Sequence, residues 1–290
     1  AIADAGLRPG DIDLLIFATM TPDHYFPGCG PLVQQALGLG EIPCLDIRQQ
    51  CSGFVYGLQV ADAQIRCGTA SHVLLIGAEV HSGFMPWRSW RCLFDPDHPP
   101  AGREEREWNT RFRDRTVLFG DAGAAVVLGP TTEADRGLLG AILKTDGSGF
   151  RHLYVPGGGF VHRPYFDPDQ FARGDHIPVM DGRRVYRLAT ARMAEVVRDL
   201  LDRLRLPLDR VDLVLMHQAN LRINEAVQKA LGLPDDRVFH NIQRYGNTTA
   251  ATLPLLWHEC RESGRIRDGD YVCFVAFGAG LQWGAALVRA

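Results

Sequence analysis

Short, unbroken apolar runs punctuate this chain: LLIFA at 14–18, VLLIGAE at 73–79, AGAAVVL at 122–128, LVLM at 213–216, VCFVAF at 272–277 and AALV at 285–288. Runs of this length, apolar on both alternating faces, read as strands covered by helices on either side. Between them lie longer apolar segments with helical spacing. One carries Phe54, Val55, Leu58, Val60 and Ile65, another Leu253, Leu255, Leu256 and Trp257. Each is apolar on more than one stripe, which predicts helices in the middle of the protein rather than on its surface. An Arg-rich amphipathic helix is expected over 181–205, irregular structure over 84–115, and a Gly/Pro-rich loop over 156–176.

The pattern repeats. Residues 5–18 (AGLRPGDIDLLIFA) echo 204–217 (LRLPLDRVDLVLMH), and 44–67 echo 238–260. Likewise 71–80 echoes 270–280, and 119–130 echoes 283–290. The chain therefore reads as two copies of one strand–helix unit, 1–130 and 131–290, with 84–115 inserted in the first. Strands alternating with helices give an α/β fold. The opening AIADAGLRPGDIDLL starts as if part-way through a helix, so a preceding segment is expected.

Composition narrows the function. With 31 basic and 34 acidic residues among 290, the formal charge is -3, and no basic field argues for nucleic acid. No apolar run approaches the roughly 18 residues of a membrane span. All the basic residues but Lys144 and Lys229 are arginines, so Schiff-base chemistry has few candidates. The seven cysteines are scattered without a CxxC pair, which argues against a disulfide framework or a zinc site and for a reducing cytoplasm. The GSGF and GGGF stretches at 147–150 and 157–160 lack phosphate-loop spacing and read as turns.

Three residues stand where a polar turn meets a regular element. Cys51 lies in DIRQQCSGF, His217 in LMHQANLR and Asn247 in RYGNTTAAT. Singly, each has an ordinary reading: a packed cysteine, a satisfied histidine, a helix cap. Together, at junctions of a duplicated α/β fold, they suggest a catalytic set. The duplication is expected to put Cys51 and Asn247 at equivalent places. A thiol at the start of a buried helix is expected to ionise readily. A cysteine hydrolase would use similar residues, but would be expected to have an open groove rather than a cysteine starting a buried helix.

The motifs QQCSGF, MHQANLRI, YGNTTAAT and AFGAGLQWGAALVR, with FGDAGAAVVL at 119–128, resemble the β-ketoacyl–acyl carrier protein synthase III family of the thiolase superfamily. The resemblance covers essentially the whole chain and implies a thiolase-like duplicated αβαβα fold, with family members beginning well before residue 1. It implies that Cys51 takes an acyl group from acyl-CoA and that His217 and Asn247 serve decarboxylative condensation with malonyl–acyl carrier protein in fatty-acid initiation. The backbone N–H groups of Cys51 and of the Gly278–Ala279 turn would form the oxyanion hole. It further implies an acyl pocket walled by Phe26 and Met180, with Phe26 reaching across a homodimer. Arg115, Gly182, Asn220 and Arg222 would serve the coenzyme A, pantetheine or carrier-protein channel. Arg183 stands where the family often has Asn. The 84–115 insertion, longer than in short bacterial members and holding Trp87, Trp90 and Trp108, tips the expected starter toward chains longer than acetyl. No metal or redox cofactor is called for. Related acyl-Cys enzymes that make alkylquinolones, join two acyl chains or acylate polyketides remain the alternative, and a partner subunit with a dead site is disfavoured by the intact trio.

Overall fold

The computed structural model describes residues 1–84, 86–165 and 167–290. Met85, within the 84–115 insertion, and Phe166, within the 156–176 loop, lie outside the described residues.

The first half runs β1 (Leu14–Ala18), α1 (Gly30–Leu37), β2 (Cys44–Ile47), α2 (Gly53–Arg66), β3 (Val73–Glu79), α3 (Arg91–Phe94), α4 (Arg103–Thr116) and β4 (Ala122–Leu128). The second runs β5 (Gly137–Thr145), β6 (Leu153–Tyr154), α5 (Pro168–Arg173), β7 (Val179–Met180), α6 (Gly182–Leu204), β8 (Leu213–Met216), α7 (Leu221–Leu231), α8 (Ile242–Tyr245), α9 (Thr252–Glu262), β9 (Tyr271–Gly278) and β10 (Gln282–Arg289). One sheet has the order β2-β1-β3-β4 and the other β5-β10-β9-β8. In the first, β1 pairs parallel with β2 and β3, and β3 antiparallel with β4; in the second, β8 pairs parallel with β9, and β10 antiparallel with both β9 and β5.

The layers follow from the two-residue period of a strand. In β1, Leu14 and Ile16 enter a core shared with α2, α9 and both sheets, whereas Leu15 turns the other way toward Leu39 and the α1 side. On the far face of the second sheet, α6 and α7 bury Val185, Met193, Val197, Ile223 and Val227. The stack is α1, sheet, α2 with α9, sheet, α6 with α7: the expected αβαβα order. A fully buried Leu or Val contributes roughly 1.5–3 kcal/mol, so the middle layer, apolar toward both sheets, is a large share of what holds the halves together.

The helix expected over 181–205 forms over Gly182–Leu204, and the Asp181 carboxylate accepts the Arg184 N–H at 3.1 Å as its cap. The 84–115 segment is more regular than expected. Its second half is the 14-residue helix α4, with Glu104 and Glu105 in the first turn and Arg113 and Arg115 in the last, which suits the helix dipole. Glu105 accepts the Arg88 and Ser89 N–H groups at 2.8 and 2.7 Å, tying the start of the insertion to this helix. The 156–176 loop likewise contains α5, where Gly174 lies against the Phe112 ring.

The duplication is imperfect at both sheet edges: strand β2 flanks β1, whereas beside β8 there is only an isolated bridge between Val214 and Val238. β5 lines the outer edge of β10, while β4 ends its sheet with no further strand among the described residues. A cavity of about 700 Å³ opens there, lined by Phe54, Leu58, Val126, Leu138, Trp257 and Phe274 among others.

Candidate active site

Cys51 occupies a 3-10 turn, Gln50–Ser52, between β2 and α2. Gln50 takes φ 44°, in the left-handed region, which reverses the chain sharply just before the thiol. The Ser52 hydroxyl donates to the Gln282 carbonyl at 3.0 Å, fastening this turn to β10. Gly278, the last residue of β9, stands directly against the cysteine. A β-carbon on it would lie 2.9 Å from Cys51 Cβ and 3.1 Å from Cys51 N, so only glycine fits.

The expected easy thiolate is not what the fold provides. Burial pushes the Cys51 thiol up to about 12, and the Glu79 carboxylate acts in the same direction. The backbone N–H groups of Cys51 itself and of Ala279 favour the anion, but the loss of water outweighs them. Those two N–H groups converge on the sulfur. In the 278–279 turn, the Ala279 N–H interacts with the thiol and Gly278 leaves room for the cysteine.

His217 follows β8, with its N–H on the Val275 carbonyl at 2.9 Å. It is buried, and neither ring nitrogen has a hydrogen-bond partner. Burial first, then the nearby His81 imidazole, takes its pKa down to about 3. The imidazole is therefore neutral at physiological pH and has one N–H to offer.

Asn247 is held at its backbone by a parallel bridge to Phe119. Its N–H donates to Leu118 O at 2.8 Å, and Gly120 N–H donates to its carbonyl at 3.0 Å. Gly120 is obligatory, because a β-carbon there would sit 1.9 Å from the Tyr245 carbonyl oxygen. The side-chain oxygen of Asn247 accepts the Thr249 N–H at 2.9 Å. With its oxygen engaged, the amide presents NH2 as its remaining polar end.

The duplication places these residues differently from the sequence reading. The second-half counterpart of Gln50–Ser52 is the 3-10 turn Thr249–Ala251, where Thr249 takes φ 41°. Cys51 thus corresponds to Ala250, and Asn247 stands three residues earlier. The two turns pack together: a β-carbon on Gly53 would lie 3.2 Å from Ala250 Cβ.

Two residues unread in the sequence lie beside the site. Glu79 and His81 end the β3 run. The buried Glu79 carboxylate accepts from Thr21 Oγ1 at 2.7 Å, from Thr19 Oγ1 at 3.1 Å and from the Met20 N–H. Its charge reaches both Cys51 and His81. His81 in turn contacts Thr249. An acidic residue and a histidine two apart, closing an apolar strand at a sheet end, were the available signal.

The remaining candidates sit as follows. Phe26 is 82% exposed. Met180, in β7, packs at the edge of the α6 core. Gly182 and Arg183 lie exposed in the first turn of α6. Arg115 pairs with Asp114 and lies over the Phe112 ring. Asn220 caps α7 by accepting the Arg222 N–H at 2.9 Å, and the Arg222 side chain is exposed. The 700 Å³ cavity does not include Cys51, His217 or Asn247. Among the described residues no cluster of His, Cys, Asp or Glu could hold a metal ion.

A duplicated αβαβα fold around such a site defines the thiolase type of acyltransferase. Residues 45–94 match the family described as 3-oxoacyl-(acyl-carrier-protein) synthase III, and residues 201–290 match its C-terminal counterpart. The β-ketoacyl-(acyl-carrier-protein) synthase III of Symbiobacterium thermophilum is 38% identical over 289 residues, covering 100% of this chain and 80% of the relative. The crystal structure of 3-oxoacyl-(acyl-carrier-protein) synthase III from Aquifex aeolicus superposes with a TM-score of 0.82 at 34% identity, covering 100% of this chain and 81% of that one. The priming β-ketosynthase from the R1128 polyketide biosynthetic pathway superposes at 0.82 with 27% identity, covering 100% and 78%. The chain belongs to the β-ketoacyl-(acyl-carrier-protein) synthase III family.

Proposed function

We propose that this chain primes fatty-acid synthesis by joining an acyl group from acyl-CoA to malonyl–acyl carrier protein with loss of carbon dioxide. Cys51 Sγ attacks the acyl-CoA carbonyl, and its thiol proton ends on the departing coenzyme A sulfur. The oxyanion forms between the Cys51 and Ala279 N–H groups, and coenzyme A leaves as its thiol. Malonyl–acyl carrier protein then enters. Its bond to the carboxylate breaks, carbon dioxide departs, and the electron pair becomes an enolate whose charge lies on the thioester oxygen. His217 and Asn247 each donate an N–H to that oxygen. The enolate carbon attacks the Cys51 thioester, and Cys51 leaves as a thiolate that takes up one proton from solvent, giving β-ketoacyl–acyl carrier protein.

The observation that carries this reading is the pairing of a buried, neutral His217 having no protein hydrogen-bond partner with an Asn247 amide whose oxygen is occupied. Both are neutral donors, suited to a developing negative charge and poor at abstracting protons. We place the starter above acetyl on the aromatic residues of the 84–115 insertion. We place the channel for coenzyme A or the carrier protein beside Arg115, Gly182, Arg183, Asn220 and Arg222. The chain acts as a homodimer in the cytoplasm in this reading. Support comes from exposed Phe26 beside an aromatic group of Tyr25, Phe160 and Tyr165. Among the described residues no helix is long and apolar enough to cross a membrane.

The test is intact-protein mass spectrometry after incubation with acyl-CoAs from acetyl to palmitoyl, with Cys51→Ala alongside, followed by malonyl–acyl carrier protein. A mass gain absent from the variant, and a β-ketoacyl product afterwards, is the expected result. A gain only with acetyl would overturn the longer starter. Free acid release without ketoacyl product would overturn the condensation.

A further inference from the structure

His81 takes no part in the chemistry above, yet it is buried against the loop that carries Asn247. Its Nδ1 lies 3.0 Å from the Gly120 carbonyl oxygen. A carbonyl only accepts, so Nδ1 carries a proton. Burial holds the pKa of His81 below the ordinary histidine value, against the opposing influence of Glu79, the Gly120 carbonyl and Asp121. The ring is therefore neutral and its Nε2 is an acceptor. At 3.4 Å from Nε2 lies Thr249 Oγ1, whose hydroxyl proton is the one available to that contact. The imidazole also stacks on Phe119, with centroids 4.8 Å apart and planes 16° from parallel.

These contacts fall on both supports of Asn247. Phe119 and Gly120 belong to the segment that brackets its backbone, and Thr249 supplies the N–H that holds its side-chain oxygen. An amide turned the other way would aim its oxygen at the enolate oxygen and repel it. The Thr249 N–H sets the correct orientation only while Thr249 stays in place. A β-branched residue at φ 41° is strained, and the hydroxyl contact to His81 gives it an anchor.

We propose that His81 is a positioning residue for condensation: through Gly120 and Thr249 it holds the Asn247 amide with its NH2 toward the enolate oxygen. The inference rests on the proposed function, and the two half-reactions separate them. In the full chain, His81→Leu keeps the bulk and removes the polar contacts to Gly120 and Thr249. Cys51 acylation by acyl-CoA, followed by mass, is expected to stay within about twofold of the starting protein. Condensation with malonyl–acyl carrier protein is expected to fall on the order of ten- to a hundredfold, as for a donor displaced rather than deleted. In the double variant His81→Leu with Asn247→Ala, the loss should be no greater than for Asn247→Ala alone, because both act through one group. His81→Asn, whose amide nitrogen reaches the Nδ1 position, should recover part of the condensation rate, and it carries the comparison if His81→Leu does not fold. Equal losses in both half-reactions, no loss in either, or full additivity with Asn247→Ala would overturn the role of His81 and leave the function standing. An unmodified protein that is acylated but never condenses would instead remove the function, and this role with it.

Discussion

Gln50 and Thr249 share one unusual backbone conformation, φ 44° and 41°, each in the residue that precedes a packed helix start, at Cys51 and at Ala250. Two halves of different sequence keep the same strained reversal at the centre of the molecule. At the first it aims a thiol; at the second it places the support of an amide.

Strain at Gln50 can be measured. A β-branched residue tolerates the left-handed region worse than Gln, so Gln50→Val should lose about 1–2 kcal/mol of stability. Gln50→Gly should lose nothing, since relief of strain offsets the added chain entropy. Urea titrations of the three proteins check this; equal midpoints would contradict the strained geometry.

Gly278→Ala tests the floor of the site. The added methyl meets Cys51 Cβ at 2.9 Å, so the turn must shift. A stability loss of about 1–3 kcal/mol is expected, with acylation slowed on the order of a hundredfold. Mass-detected acylation beside a melting curve separates the two effects. Wild-type acylation in Gly278→Ala would show that the close approach is not needed.

Asn247→Asp replaces a neutral donor by a carboxylate that only accepts. Acylation of Cys51 should survive, while carbon dioxide release from malonyl–acyl carrier protein should drop by roughly a hundred- to a thousandfold. Retained decarboxylation would move the enolate stabiliser elsewhere.

Stability should fall on the acid side. His217 binds a proton below about 3 in the folded chain and near 6.5 when unfolded. Between those values the unfolded chain holds the extra proton, so stability rises with pH through this window and levels off above it. At about pH 5 the deficit from His217 is on the order of 2 kcal/mol. His217→Leu should flatten the slope between about pH 5 and pH 7, as read by urea titration at each pH. An unchanged slope would mean that other groups dominate; the buried His81, whose pKa is also held down, is the first to examine.

The strands were the most legible part of the chain. LLIFA and LVLM became β1 and β8 because a run apolar on both faces has no other home in a layered α/β protein. Cys51, His217 and Asn247 could be singled out as candidates because they interrupt polar turns with chemistry, and all three are buried. The three-residue offset between Cys51 and Asn247 was not, since it depends on φ values at Gln50 and Thr249, and neither residue type announces a left-handed backbone as glycine does. Helix α4 was hidden by its charge: among its Arg and Glu residues only Glu105, Phe112 and Thr116 are buried, too thin a stripe to stand out. Glu79 and His81 escaped notice because polar residues closing an apolar strand look like its exit to water, whereas both are buried.

The place of β10 inside its sheet has a dynamic consequence. Strand β10 is flanked by β5 and β9, so its amides are paired in both directions. The amides of β10 and of its neighbour β9 will take up deuterium last, and the slowest-exchanging part of the molecule will be the sheet whose Val275 carbonyl accepts the His217 N–H.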